Sequence, residues 1–144
     1  AAVQRLLRKG NHPDGLHLVT HEHSGSFVQL LMALRRGAIV AIQADRATGH
    51  RRDIVAPFFN APALFPGGLF TLAAAAQAQI LPCFCLLRPD DRYDIFVEQA
   101  IAVSRGQEDA ALHEMIGMLE RYISMAPDQW FNFYDFWNTQ STQA

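Results

Sequence analysis

The chain has 144 residues, of which 50% are hydrophobic and 18% charged, a balance typical of one packed globular domain rather than a disordered chain. Its net charge is −2 and its pI lies near 6.3, which argues against nucleic acid as a partner. Two cysteines, Cys83 and Cys85, are too few for a disulfide scaffold and favour a reducing compartment.

Charge is unevenly distributed along the chain. Residues 1–52 hold eight Lys and Arg against three acids, and the remainder holds four against eleven. A basic front half suits phosphate groups or membrane headgroups. Eleven of the twelve cations are Arg, which favours bidentate contacts with phosphate or carboxylate, although GC-rich codon usage would give the same bias.

The first elements alternate between helix and strand patterns. Residues 1–10 carry apolar side chains on one side of a helix, residues 16–20 suit a short strand, and residues 21–25 suit a turn. Apolar spacing predicts a second helix capped by Ser24 or Ser26 and ended by Gly37.

Residues 38–44 form an apolar run broken only by Gln43, the pattern of a strand buried on both faces of a parallel sheet. Asp45 and Arg46 follow at its carboxyl end, where open α/β sheets gather ligands. Arg46 can donate two parallel hydrogen bonds to an anion, with Asp45 orienting it or contacting a hydroxyl group. A simple ion pair at a strand end is the structural alternative.

The second half continues the alternation. Residues 47–66 predict a long loop with one extended piece at 54–59. A helix at 67–77, a buried strand at 80–88 and an antiparallel partner at 93–101 follow. Residues 67–87 are the most apolar stretch, but Gln77, Gln79 and Pro82 argue against a membrane span.

An amphipathic helix at 108–125 and a strongly aromatic segment at 130–137 complete the chain. The order of elements predicts an α/β fold with a mixed, largely parallel sheet flanked by helices. Cys83 and Cys85 point to the same side of one predicted strand, but the apolar run in which they lie favours buried thiols.

Five short segments occur in an order that resembles the lipid A biosynthesis (lauroyl/myristoyl) acyltransferase family of the lysophospholipid acyltransferase superfamily. They are Gly37 to Arg46, Pro57-Phe58-Phe59-Asn60, Pro66-Gly67, Ile80-Leu81-Pro82 and Ala126-Pro127-Asp128-Gln129-Trp130. The resemblance covers most of the chain. Asn60 departs from it, since the family usually has Gly after the paired Phe.

The resemblance implies that residues 1–144 are the C-terminal part of one glycerolipid acyltransferase-like domain, incomplete at the N-terminus. It implies transfer of a fatty acyl group from acyl-ACP or acyl-CoA, as co-substrate without a bound cofactor, to a hydroxyl of a glycolipid or lysolipid. The implied partners are this lipid acceptor, the carrier protein or CoA thioester, and a membrane surface. The implied location is the cytoplasmic face of the bacterial inner membrane, by peripheral attachment or through a preceding N-terminal anchor.

The resemblance also implies the functional residues. Those expected to bind substrate are Asp45, Arg46, Arg51, Arg52, Pro66 and Gly67. The family's general base, the His of a His-x4-Asp/Glu signature, is expected upstream, so this chain alone is expected to be inactive. His17 and Glu22 have that spacing without the family's surrounding residues.

Two other functions remain open from the residues alone. A missing base would suit a non-catalytic module that binds lipid or acyl carrier. His21 and His23 could serve a metal-dependent hydrolase, but they lack an evident third ligand, so no metal site is predicted.

Aromatic side chains allow a membrane-facing interpretation beside a core one. Phe58, Phe59, Leu64, Phe65 and Phe70 could form an interfacial patch or belong to the core. The C-terminal aromatics could form an interfacial belt or a packed closing segment, and packing is the favoured expectation.

Overall fold

A computed structural model describes residue 19, residues 25–47 and residues 53–137. Within them lie three α-helices: α1 (Ser26–Arg35), α2 (Gly68–Ala76) and α3 (Glu108–Met125). Six strands accompany them: β1 (Asp53–Phe58), β2 (Ala61–Pro66), β3 (Gln79–Ile80), β4 (Cys83–Leu87), β5 (Tyr93–Val97) and β6 (Ile101–Ala102). A 3-10 turn at Pro127–Gln129 follows α3. The mixed α/β class is confirmed.

The strands of the described residues pair only in antiparallel ladders, so the expected parallel sheet is wrong for this part of the chain. β1 pairs with β2, β4 with β5, and β3 with β6. The strand predicted at 80–88 is divided near Pro82, whose carbonyl accepts from Glu98 N–H at 3.0 Å. The two halves, β3 and β4, pair with β6 and β5 in one interrupted hairpin. The short turn between β4 and β5 favours this pairing of neighbouring segments.

The apolar run at residues 38–44 is not a buried strand in the described structure. No strand of the described residues pairs with it, and Ile39 is 97% exposed. The predicted end of the preceding helix is confirmed, since Gly37 has φ 83° and follows the C-cap of α1. Ala38 N–H donates to Ala33 O at 3.1 Å, the closing bond of a Schellman motif. At the other end, the N-cap is Gly25 rather than a serine.

The predicted long loop at 47–66 contains a regular hairpin, β1–β2. Phe59 and Asn60 connect its strands with φ values of 46° and 64°, as a two-residue type I′ turn requires. Asparagine tolerates this left-handed conformation better than most residues other than glycine. Asn60 therefore preserves the turn despite its departure from the family pattern.

The core forms where β1–β2, α2 and α3 meet. Phe58, Phe65 and Phe70 are fully buried, so the interfacial interpretation is wrong for these three side chains. The rings of Trp130 and Phe136 approach Phe58 with centroid distances of 5.6 and 5.3 Å. The C-terminal aromatic segment therefore packs in part, as expected.

The β4–β5 hairpin packs one face against α3. Tyr122 stacks on Phe84 with 4.0 Å between ring centroids, and its hydroxyl donates to the Glu98 carboxylate. Arg121 also donates to Glu98, at 2.6 Å. The Tyr122 hydrogen bond, opposed by desolvation and helped by Arg121, leaves the pKa of Glu98 below its ordinary value, while that bond raises the pKa of Tyr122.

The opposite face of the β4–β5 hairpin is exposed and apolar. Cys83 and Cys85 lie on this face, so they share one side of a strand as predicted but are not buried. The prediction failed because a run of apolar residues does not distinguish a strand covered on both faces from one covered on a single face.

Gln129 binds the outer edge of β4 through both ends of its amide. Its Oε1 accepts from Leu87 N–H at 2.7 Å, and its Nε2 donates to Leu87 O at 2.9 Å. The side chain thus replaces a neighbouring strand at one position. It ties the β4–β5 hairpin to the turn that follows α3.

We expect Gln129→Ala to lower the free energy of unfolding by about 1 to 2 kcal/mol, because two backbone groups of Leu87 lose their partner. Urea denaturation followed by far-ultraviolet circular dichroism measures the change. Asp128→Ala, at the exposed neighbouring position, is the control and should change stability by less than about 0.5 kcal/mol. Equal stabilities of the Gln129 variant and the wild type would contradict the clamp.

Candidate functional site

A large apolar groove of about 880 Å³ lies beside residues 37–45. Its other walls come from α2, from residues 78–85 and from Met115 and Leu119 of α3. The size falls within the range of small-molecule sites. Asp45 is the only ionisable side chain among the described lining residues apart from the two cysteines. The groove therefore suits an apolar ligand with a polar group near one end.

Asp45 and Arg46 follow the apolar segment, which is not the strand that was predicted to carry them, and their binding role stays a prediction. Arg46 Nε lies 3.4 Å from Asp45 Oδ2, and Arg46 Nη2 donates to Phe131 O at 3.2 Å. The Arg46 side chain is 45% exposed, against 26% for Asp45. Two of the five guanidinium N–H groups serve these contacts, so others remain available for an anionic ligand.

The C-terminal segment supplies the other side of this site. Burial raises the pKa of the Tyr134 hydroxyl, Arg46 lowers it and Asp45 raises it, so Tyr134 lies within electrostatic reach of both. Asn132 Nδ2 donates to Tyr134 O at 3.1 Å and fixes the local turn. The site thus combines a cation, a carboxylate and a phenol contributed by segments far apart in the chain.

The same C-terminal segment is anchored on the β1–β2 turn. Trp137 Nε1 donates to Phe58 O at 3.1 Å, and Glu120 of α3 accepts from Phe59 N–H at 2.6 Å. These bonds hold the Pro-Phe-Phe-Asn turn against α3 and the C-terminal segment. The segment therefore connects that turn to Arg46.

The remaining predicted substrate-binding residues have different outcomes. Pro66 ends β2 and Gly67 is the N-cap of α2. Both are buried, and neither is among the residues that line the groove; their binding role stays a prediction. Arg51 and Arg52 lie outside the described residues.

The predicted catalytic and metal candidates also lie outside the described residues: His17, His21, Glu22 and His23. Within the described ranges, no cluster of three or more His, Cys, Asp or Glu side chains is arranged to hold a metal ion. His113, on α3, donates from Nδ1 to Asp109 O of its own helix at 2.7 Å. None of the described groove-lining residues is a histidine.

No helix within the described ranges combines the length and apolar character needed to cross a membrane.

Sequence reasoning missed the part played by Phe131 and Tyr134. Phe131 contacts Arg46 through its backbone carbonyl, which carries no side-chain signal. Tyr134 belongs to an aromatic run whose expected role was packing. The only available signal was the concentration of aromatic residues after Pro127, which did not indicate a contact with Arg46.

The family model for the bacterial lipid A biosynthesis acyltransferase matches residues 3–139 of the chain. This match includes the groove, the Asp45 and Arg46 pair, and the C-terminal aromatic segment. No match was found among curated proteins.

Proposed function

The chain belongs to the bacterial lipid A biosynthesis acyltransferase family, and we propose that it binds substrates for transfer of a fatty acyl group to a lipid hydroxyl. The proposed donor is an acyl-ACP or acyl-CoA thioester, used as co-substrate. The proposed acceptor is a glycolipid or lysolipid. The apolar groove ending beside Asp45 is the observation that carries this proposal.

The groove supports a site for the acyl chain. Its walls are formed mainly by aliphatic side chains of residues 38–44, α2 and α3, and each methylene removed from water contributes about 0.8 kcal/mol to binding. A chain lying in this groove would place its polar end close to Asp45. The length of the groove would then determine which acyl-chain lengths are preferred.

Arg46 supports a site for an anionic group of the acceptor. Its guanidinium is held by Asp45 and by Phe131 O, so part of its rotamer entropy is lost before ligand binds. The acceptor hydroxyl would then be presented to the acyl carbonyl at the end of the groove.

The described residues support binding and positioning rather than proton removal. Acyl transfer needs a general base that takes the proton from the attacking hydroxyl. The described groove lining offers no histidine for this role. A His-x4-Asp/Glu signature upstream of the matched region remains the proposed source of the base.

We expect Arg46→Ala to lower acyl transfer by roughly one to two orders of magnitude, because a charge-assisted contact worth roughly 1.5 to 3 kcal/mol is lost. Mass spectrometry of the acylated lipid, measured on the complete enzyme, gives the rate. Arg92→Ala, at an arginine that is 80% exposed, is the matched control. Unchanged transfer by the Arg46 variant would remove its proposed role, whereas binding of both substrates by the wild type without any transfer would favour a non-catalytic binding module.

Ala41→Trp should shift donor preference toward shorter acyl chains, because the indole fills part of the groove. Losing the burial of about two methylenes reduces kcat/KM for a long donor about tenfold relative to a short donor. Val55→Trp places the same indole at an exposed position of β1 that does not line the groove. An unchanged ratio for Ala41→Trp would exclude this groove as the acyl site.

We also propose action at a membrane surface, the cytoplasmic face of the bacterial inner membrane. Phe133 is 89% and Phe131 64% exposed, and their ring centroids lie 6.5 Å apart. Both belong to the segment that contacts Arg46. Exposed aromatic side chains beside a lipid site suit insertion into a membrane interface.

The double variant Phe131→Ala/Phe133→Ala should bind phospholipid vesicles about tenfold more weakly or worse, because two rings lose burial in the interface. Co-sedimentation with vesicles containing anionic lipid measures binding. Tyr93→Ala/Ile95→Ala removes two comparably exposed apolar side chains from β5 and should leave binding unchanged. Equal losses in both double variants would contradict a specific aromatic contact.

A further inference from the structure

A second pocket, of about 590 Å³, contains two arginines from distant parts of the chain. Arg35 comes from the end of α1 and Arg105 from the connection between β6 and α3. We propose that this pocket, named here the two-arginine pocket, binds a phosphate group of a substrate. The inference deepens the proposed function and rests on it for the kind of ligand.

Local structure places both arginines at the pocket. Arg35 Nη2 donates to Ala75 O, in the last turn of α2, at 3.1 Å. Arg105 lies in a turn closed by Gln107 N–H donating to Ser104 O at 3.0 Å, and Gly106 has φ 82° there. One arginine is therefore anchored by a backbone contact, and the other is presented by a tight turn.

The electrostatic balance of the pocket favours an anion. Within the described residues, neither Arg35 nor Arg105 forms a recorded ion pair with an acid, and no carboxylate lines the pocket. The acids nearest Arg105 in sequence, Glu108 and Asp109, begin α3 and are not among the lining residues.

The carboxyl end of α2 opposes anion binding, but weakly. A helix terminus carries about half a negative charge, against two full positive charges on the arginines. Ala73 O already accepts from Ala78 N–H, and Ala74 O from Gln77 N–H. The net charge around the pocket therefore stays positive.

The neutral lining groups fit phosphate. The lining also offers amide and hydroxyl donors beside the two guanidinium groups, from Gln77, Gln79 and Ser104. A phosphate presents several strongly accepting oxygens and can take bidentate hydrogen bonds from each arginine. This set of donors exceeds what the two oxygens of one carboxylate require, so phosphate is the better match.

The two-arginine pocket adjoins the apolar groove. Ala78 and Gln79 line both spaces, and Leu34 lines the groove while its neighbour Arg35 lines the pocket. This proximity suits a molecule that carries both a phosphate group and an apolar chain. The phosphate can come from the pantetheine arm of the acyl donor or from the headgroup of a phospholipid.

Paired ligands that differ by one phosphate test the inference. The 144-residue chain is titrated with 4′-phosphopantetheine and with pantetheine, and separately with a short-chain lysophosphatidic acid and the matching monoacylglycerol, by isothermal calorimetry. Arg105→Gln should weaken the phosphate-bearing member of at least one pair about tenfold or more. Its phosphate-free partner should keep its affinity. Whichever pair responds identifies the source of the phosphate.

The choice of variant and one control separate a lost contact from a lost fold. Arg35→Gln also removes the bond to Ala75, so Arg105→Gln, which breaks no side-chain bond of the described residues, is the primary variant. Arg92→Gln makes the same charge change on the β4–β5 turn and should leave every affinity unchanged. Raised salt should reduce the wild-type affinity for phosphate and affect Arg105→Gln less.

The inference is overturned if Arg105→Gln binds both phosphate ligands like the wild type, if it weakens the two members of each pair equally, or if the wild type binds neither phosphate ligand at millimolar concentration. Arg105-dependent phosphate binding by a protein whose complete form transfers no acyl group would support the pocket and contradict the proposed function. Acyl transfer by the complete protein, together with phosphate binding that does not depend on Arg105, would support the proposed function and contradict the pocket.

Discussion

The burial of Phe58 is the interaction on which most of the described structure depends. Its ring is fully buried and contacts Phe65 of the neighbouring strand, Trp130 and Phe136. The adjoining backbone carbonyl accepts from Trp137. A single aromatic side chain at a hairpin turn thus brings together β1–β2 and the C-terminal segment, next to the turn that contacts α3 through Glu120.

That packing has a direct effect on the site. The segment fixed at Trp137 also carries Phe131, whose carbonyl holds Arg46. Loss of the aromatic cluster would therefore release one contact of the proposed anion-binding arginine without touching the arginine itself. Stability and the proposed positioning of substrate by Arg46 therefore depend on the same aromatic segment.

Local patterns predicted the helices and turns well. The amphipathic spacing of residues 108–125 gave α3 with its observed bounds, and Gly37 ended α1 as expected. These features depend on residues within one or two turns of each other. Strand pairing depends on distant partners, so the apolar pattern of residues 38–44 indicated a tendency to avoid water without identifying what would cover the run. The same limit led to the expected parallel sheet and buried cysteines.

The site was less predictable than the helices. The family resemblance is confirmed over residues 3–139, but Asp45 and Arg46 were selected as the end of a strand that the described residues do not form, and their binding role stays a prediction. The contact between Arg46 and Phe131 joins positions 85 residues apart through a backbone atom, for which no side-chain pattern exists. The two-arginine pocket likewise joins turns whose proximity appears only after α1, α2 and the β6–α3 connection are assembled.

Gln129 has a consequence for strand pairing between molecules. An open strand edge can pair with another molecule, and such pairing needs several consecutive backbone positions. By occupying both the N–H and the carbonyl of Leu87, Gln129 leaves only the Cys83–Cys85 part of the outer edge of β4 for an incoming strand. One side-chain amide therefore shortens an aggregation-prone edge while joining two elements of the fold.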